Sequence, residues 1–87
     1  MAWRIEFDPA AERELDKLDP QHRERIQKLL KRVAAIDDVR SLGDPLHGRL
    51  GQSWKYRAGS YRLICRIEDQ QSAITVLRIG HRKEIYR

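Results

Sequence analysis

The chain has 87 residues, and this length predicts a single domain over residues 1–87. Hydrophobic residues make up 40% of the sequence and recur periodically, which argues against disorder. The lone Cys65 excludes an internal disulfide, and without a signal-peptide pattern or a long apolar run we expect a soluble, cytoplasmic protein that has no membrane partner.

The charge is unevenly distributed along the chain. The formal net charge is +5, but the first 45 residues hold nine Lys or Arg and ten Asp or Glu. The remaining residues hold nine Lys or Arg and three Asp or Glu. A basic second half suggests a polyanionic partner, either nucleic acid or an acidic protein, although a solvated basic surface would give the same count.

The first half predicts a strand followed by two helices. Residues 3–7, WRIEF, alternate between apolar and polar. Asp-Pro then occurs twice, where Asp can cap a helix and Pro suits its first position, so we expect helices over 9–18 and 20–36. Apolar residues recur at helical spacing: Ala11, Leu15 and Leu18 in the first helix, and Ile26, Leu29, Leu30 and Val33 in the second. The charged faces of both helices are interpreted as solvated surface.

The second half predicts strands. Residues 37–52 are rich in Gly and form a connector, and strands are expected over 53–58, 61–67 and 73–79, followed by the tail HRKEIYR. The order β-α-α-β-β-β predicts an α+β fold, in which two N-terminal helices pack on one face of a mostly antiparallel four-stranded sheet.

The segment WKYRAGSYRLICR has a hairpin pattern. A two-residue type II′ turn at Gly59-Ser60 gathers the apolar residues of both strands on one face. The predicted pairs are Ala58 with Tyr61, Arg57 with Arg62, Tyr56 with Leu63, Lys55 with Ile64, and Trp54 with Cys65. The opposite face then carries Lys55, Arg57, Arg62 and Arg66. Opposed arginines destabilise a sheet, so this arrangement suggests a bound polyanion, unless the side chains simply extend into water.

The residue types narrow the possible chemistry. The sequence has no paired carboxylates, no Gly-rich phosphate loop and no Cys/His cluster with metal spacing, so we expect no metal and no cofactor. Lys, Arg, His and Tyr suit cleavage of RNA by its own 2′-hydroxyl. That reaction needs a base, an acid and charge stabilisation, but no protein nucleophile.

Three segments in this order resemble the RelE/ParE superfamily of bacterial toxins. They are FDPAAERELDKL, LGDPLHGRLGQSWKYRAGSYRLICRI and IGHRKEIYR, and they are most similar to RelE-type mRNA interferases. The resemblance implies the two-helix fold described above. It also implies an endoribonuclease that cleaves mRNA in the ribosomal A site and inhibits translation, and a cognate RelB-like antitoxin as protein partner.

The resemblance also implies site residues. Lys55 and Arg57 match the basic pair of the second strand, and Arg62 matches the arginine that holds the phosphate. Arg57 cannot readily lose a proton, so Lys55 is the favoured base. From the tail come Arg82, the base-stacking Tyr86, and His81 as a second acid–base candidate. Further RNA-binding candidates are His47, Arg49, Arg66 and Lys83.

The sequence is also compatible with two alternatives. A ParE-like toxin would share the fold but poison DNA gyrase by binding, and would have no need of the set Lys55, Arg57, Arg62, Arg82 and Tyr86. A non-enzymatic RNA- or protein-binding module, or a decayed toxin, would also carry the fold.

Overall fold

The computed structural model describes residues 3–46 and 53–81. Within them it contains two α-helices, two short 3-10 helices and five strands. In chain order the elements are β1 (Arg4–Phe7), α1 (Pro9–Asp16), α2 (Pro20–Ala35), a 3-10 helix (Val39–Leu42), β2 (Asp44–Pro45), β3 (Ser53–Ala58), β4 (Tyr61–Glu68), a second 3-10 helix (Asp69–Gln71) and β5 (Ala73–His81).

The strands form one mixed sheet in the order β1-β5-β4-β3-β2. β1 pairs with β5 in parallel, and the other neighbours are antiparallel. The predicted α+β class is confirmed, but the sheet has five strands where four were expected. The additional strand is β2, a two-residue segment of the connector that pairs with Trp54 and Lys55 of β3. Two residues are too few to show an alternating pattern, and Pro45 is tolerated because β2 is an edge strand.

Both helices begin at the predicted prolines, but only α1 has a side-chain cap. Asp8 accepts a hydrogen bond from the backbone N–H of Ala10 at 3.2 Å, whereas Asp19 makes no capping side-chain bond to α2. The predicted apolar faces point inward: Ala11, Ile26 and Val33 are fully buried. Neither helix in the described part of the chain has the length and apolar content that a membrane span requires.

The hairpin between β3 and β4 has the predicted register at every pair, including Arg57 opposite Arg62. Gly59 has a φ of 63°, and Ser72 is the one described non-glycine residue with a positive φ. A positive φ at the first turn residue, but not at Ser60, fits the predicted type II′ turn. The apolar face of this hairpin forms the centre of the core, where Tyr56, Leu63 and Cys65 are at most 1% exposed.

A carboxylate binds the backbone of β5 beyond the residues that pair with β1. The register between β4 and β5 shifts at Ile64/Cys65, which leaves an extra residue in β5 as a bulge. Glu14 of α1 then accepts a hydrogen bond from the backbone N–H of Ile79 at 2.9 Å and pairs with the Arg78 guanidinium at 3.1 Å. α1 is thereby fixed against the sheet by a polar contact as well as by its apolar face.

Candidate active site

Three of the predicted catalytic residues line one cleft on the face of the sheet that points away from the main core. Lys55, Arg57 and Arg62 are its cationic walls, and the cleft has a volume of about 60 Å³. Lys55 and Arg57 are two residues apart on β3, which places them on one face at a spacing of about 6.6 Å. Arg62 faces Arg57 from β4. The strand register therefore brings together side chains that the sequence predicted on one face.

The three cations differ in exposure. Arg57 is exposed, Lys55 is partly buried, and only 9% of Arg62 is exposed. β4 is the central strand of the sheet, so the aliphatic stem of Arg62 is covered on both sides. An arginine held in this way has a fixed position, which suits bidentate binding of a phosphate.

The cleft also contains a carboxylate that the sequence reasoning missed. Asp44 of β2 pairs with Lys55 of β3, so both side chains share a face, and both line the cleft with Leu42 and Gly43. The sequence placed Asp44 in an irregular connector, and a two-residue strand has no periodicity to reveal its direction. The local signal was Pro45 alone, which is compatible with an edge strand but does not predict one.

Contacts between the connector and the sheet determine where Asp44 lies. The buried hydroxyl of Tyr56 donates to the carbonyl oxygen of Val39 at 2.8 Å, and burial raises the pKa of this tyrosine. A side chain at Gly43 would overlap the carbonyl oxygen of Lys55 and the indole ring of Trp54. Glycine therefore allows the connector to approach β3 closely enough for β2 to form.

An arginine attaches the same connector to the turn between β4 and β5. Arg40 donates two hydrogen bonds to Asp69, at 2.9 and 2.8 Å, and its guanidinium lies 5.8 Å from the centre of the Trp54 ring. Arg40 holds the pKa of the Asp69 carboxyl below its ordinary value, because it donates to the ionised form. The wall of the cleft that carries Asp44 is thus fixed at two separate points on the sheet.

The other predicted residues lie elsewhere. Arg66 is on the same face of the sheet, four residues along β4 from Arg62, and pairs with Glu68 at 2.9 Å. His81 pairs with Tyr61, whose ring lies 5.0 Å from that of His22 on α2. His81 is therefore on the helix side of the sheet, away from the cleft. Five predicted residues lie outside the described part of the chain: His47, Arg49, Arg82, Lys83 and Tyr86.

Two kinds of chemistry have no support in the described residues. No group of three or more His, Cys, Asp or Glu side chains in residues 3–46 and 53–81 could hold a metal ion. Cys65 is fully buried, and burial raises the pKa of its thiol to about 12. The thiolate is the nucleophilic form, so this cysteine is a packed core residue.

The chain matches known toxins over almost its whole length. A family model described as "ParE toxin of type II toxin-antitoxin system, parDE" matches residues 5–86. Toxin RelG of Mycobacterium tuberculosis is 32% identical over 87 residues, which cover 100% of this chain and 99% of the relative.

Solved structures agree with this relationship. A chain of the toxin–antitoxin complex RelBE2 from Mycobacterium tuberculosis superposes with a TM-score of 0.83 at 28% identity, covering 97% of this chain and 95% of that one. The isolated RelE toxin of E. coli superposes with a TM-score of 0.73 at 26% identity, covering 98% and 92%. The chain therefore belongs to the RelE/ParE superfamily and is a toxin of a type II toxin–antitoxin system.

Proposed function

We propose that this toxin is a ribosome-dependent endoribonuclease that cleaves mRNA in the A site. The observation that carries the proposal is the cleft in which Lys55, Arg57 and Arg62 meet the carboxylate of Asp44. A gyrase poison that acts by binding alone has no need of such a cleft. The similarity to RelE and RelG supports the proposal, because the sequence resemblance was strongest to RelE-type interferases.

In the proposed reaction the RNA supplies its own nucleophile. The 2′-oxygen forms a bond to the adjacent phosphorus while the bond from phosphorus to the 5′-oxygen breaks. The products are a 2′,3′-cyclic phosphate and a 5′-hydroxyl. One proton leaves the 2′-hydroxyl and one is delivered to the departing 5′-oxygen, so the protein supplies a base, an acid and positive charge.

The cleft divides these tasks between residue types. Arg57 and Arg62 keep their protons and bind the phosphate oxygens, where negative charge accumulates in the transition state. Tyr56 also lines the cleft, but its buried hydroxyl donates to Val39, so Lys55 and Asp44 are the candidates for proton exchange. We assign the proton acceptor to Lys55, as the sequence suggests, and make Asp44 the competing assignment. His81 is left out of this set because it lies on the helix side of the sheet.

The test is primer extension on purified ribosomes programmed with a defined mRNA. The wild-type toxin should produce cuts within the A-site codon. Arg62→Ala should slow cleavage by about 10²–10³-fold, as expected for removal of one transition-state charge contact. Arg62→Lys is a milder variant that keeps the positive charge and the long side chain but loses the bidentate geometry, so it separates the loss of charge from the loss of that geometry. Arg13→Ala, on the exposed surface of α1, should cleave at the wild-type rate.

Two further variants assign the proton acceptor. Lys55→Ala should reduce the rate about 10²–10⁴-fold, and Asp44→Asn should have a much smaller effect. The reverse order would move the base to Asp44. Equal rates for Arg62→Ala and the wild type would overturn the assignment of the cleft. Intact mRNA with broken DNA after induction in cells would favour the ParE-like alternative, a gyrase poison.

We also propose a RelB-like antitoxin as the protein partner. Structures similar to this chain include the toxin–antitoxin complexes RelBE2 and E. coli RelBE. An acidic or amphipathic antitoxin segment would neutralise the cationic face and keep the toxin inactive. Co-expression with the acidic partner should then suppress the mRNA cuts.

A further inference from the structure

The second helix is strongly basic, although the first 45 residues as a whole are almost neutral. α2 contains five Lys or Arg residues and a single Glu. Three of the cations, Arg25, Lys28 and Arg32, have i, i+3, i+7 spacing and share one face of the helix. From the sequence alone, this face is interpreted as solvated surface. In the structure it forms one wall of a groove of about 270 Å³, whose other wall is residues 57–59 at the tip of the β3–β4 hairpin.

The groove has a strongly cationic lining. Arg25, Lys28 and Arg32 are all exposed, and within the described part of the chain no acidic side chain lines the groove. Lys28 pairs with Glu24 at 3.4 Å, but both side chains are more than half exposed, so the pair contributes little. The guanidinium of Arg25 lies directly over Gly59. With Arg57 of the hairpin, four positive charges surround the groove. They repel each other, and a polyanion in the groove would offset that repulsion.

One residue joins this groove to the catalytic cleft. Arg57 lines both. Only Trp54 and Lys55 of β3 pair with β2, so Arg57 lies where β3 is the edge of the described sheet. At this edge its side chain can border both the cleft on one face and the groove beside α2. From Arg57 the cationic surface continues along α2, where Arg25 and Arg32 are about 10 Å apart along the helix axis. The two concavities thus form one continuous cationic path.

We propose that this groove binds the phosphodiester backbone of the RNA strand that flanks the scissile phosphate. The inference rests on the proposed function and extends its substrate site by a second segment. No aromatic side chain is among the described residues that line the groove, so it has no platform for base stacking. Lys and Arg contacts to phosphates position a strand without reading its sequence. The groove therefore contributes affinity and direction, and codon preference arises elsewhere.

The test is the salt dependence of binding to a short 2′-O-methylated single-stranded RNA, which lacks the attacking hydroxyl. Each phosphate contact on a single strand contributes about −0.7 to the slope of log K against log salt. The variant Arg25→Gln/Lys28→Gln/Arg32→Gln should therefore have a slope about 2 units less negative than that of the wild type. If affinity at about 1 M salt is unchanged, affinity at about 0.1 M should fall roughly 100-fold.

A matched variant controls for net charge. Arg13→Gln/Lys17→Gln/Lys31→Gln removes the same number of exposed cations from positions outside the groove. It should leave the slope within about 0.5 of the wild-type value. If the groove triple variant does not fold, Arg25→Gln and Arg32→Gln should each change the slope by about 0.7.

The outcomes separate this inference from the proposed function. Equal slopes for the groove variant and the charge-matched control would overturn the inference, even if the wild type cleaves mRNA as proposed. A groove variant that binds RNA like the wild type but loses binding to a purified acidic antitoxin would also overturn it, because the groove would then be a protein contact. A wild type that fails to cut programmed mRNA would refute the proposed nuclease activity, whereas the slope measures RNA binding independently.

Discussion

The pair Arg57 and Arg62 gives a sharp prediction, because replacing Arg57 should raise the stability of the fold and lower the proposed activity. These residues face each other across β3 and β4, two positions from a tight turn. In a two-residue hairpin the pair next to the turn is hydrogen-bonded, so this second pair is the closer, non-hydrogen-bonded kind. Its Cβ atoms are about 4.5–5.5 Å apart. Arg57→Glu replaces a like-charge pair by an opposite-charge pair at that distance.

The expected gain follows from two contributions. Removal of the repulsion and creation of an attraction each change the free energy of unfolding by roughly 0.2–1 kcal/mol. Because Arg57 is exposed and screened by solvent, we take the lower half of that range for each, and expect a total of about 0.5–1 kcal/mol. In a chain of this size, 1 kcal/mol raises Tm by about 4–8 °C. Arg57→Gln removes only the repulsion and should give about half the gain.

The assay is urea unfolding at neutral pH, followed by circular dichroism, with cleavage of programmed mRNA measured in parallel. The midpoint should rise in the order wild type, Arg57→Gln, Arg57→Glu, and the cleavage rate should fall in the same order. The gain should shrink at about 1 M salt, where screening shortens the range of the interaction to about 3 Å.

A second position provides the matched control. Arg66 lies on the same face of β4 but faces Ser53 and pairs with Glu68. Arg66→Glu therefore loses an attraction and gains a repulsion, and it should lower stability by up to about 1 kcal/mol. If Arg57→Glu also lowers stability, or raises it equally at low and high salt, then repulsion between the two arginines does not destabilise the fold.

Other contacts in the core and at the sheet edge give further predictions. Cys65 should react with a thiol reagent only in urea, since burial raises its pKa to about 12. Tyr56→Phe removes the hydroxyl that donates to the carbonyl oxygen of Val39 and should cost about 0.5–1.5 kcal/mol in urea unfolding. Because the folded-state pKa of Tyr56 is raised, stability should fall as pH rises above about 10, and less so in that variant. Glu14→Ala removes the acceptor of the Ile79 N–H and should cost about 1–2 kcal/mol, while Glu14→Gln should recover part of it.

Features set by strong local patterns could be predicted from the sequence. The hairpin register followed from period-two alternation around Gly59-Ser60, because a shift by one residue would have buried cations. That register fixed Arg57 opposite Arg62 and placed both with Lys55 on the face away from the core. The cationic half of the candidate site could therefore be predicted from the sequence.

Features that depend on tertiary contacts could not be predicted from the sequence. Asp44 enters the cleft because Tyr56 and Arg40 hold the connector against the sheet, and neither contact has a signature in the local sequence. The sequence predicted that Arg62 lies on the face away from the apolar residues, but it did not show that a position on the central strand buries this side chain. His81 follows the strand pattern onto the helix side, and the motif alone did not show that direction.

In the proposed mechanism, the position of Arg57 connects the catalytic cleft to the RNA-binding groove. Arg62 is fixed by burial in the centre of the sheet, and Arg25 is on a separate helix, so neither residue alone links the cleft to the groove. Arg57 lines both concavities and remains exposed. An arginine there keeps its charge when the neighbouring base exchanges a proton, whereas a lysine among so many cations would lose its proton more easily. An exposed arginine at this position thus fits the proposed contact with phosphate in both concavities, and in that proposal proton transfer is left to Lys55 or Asp44.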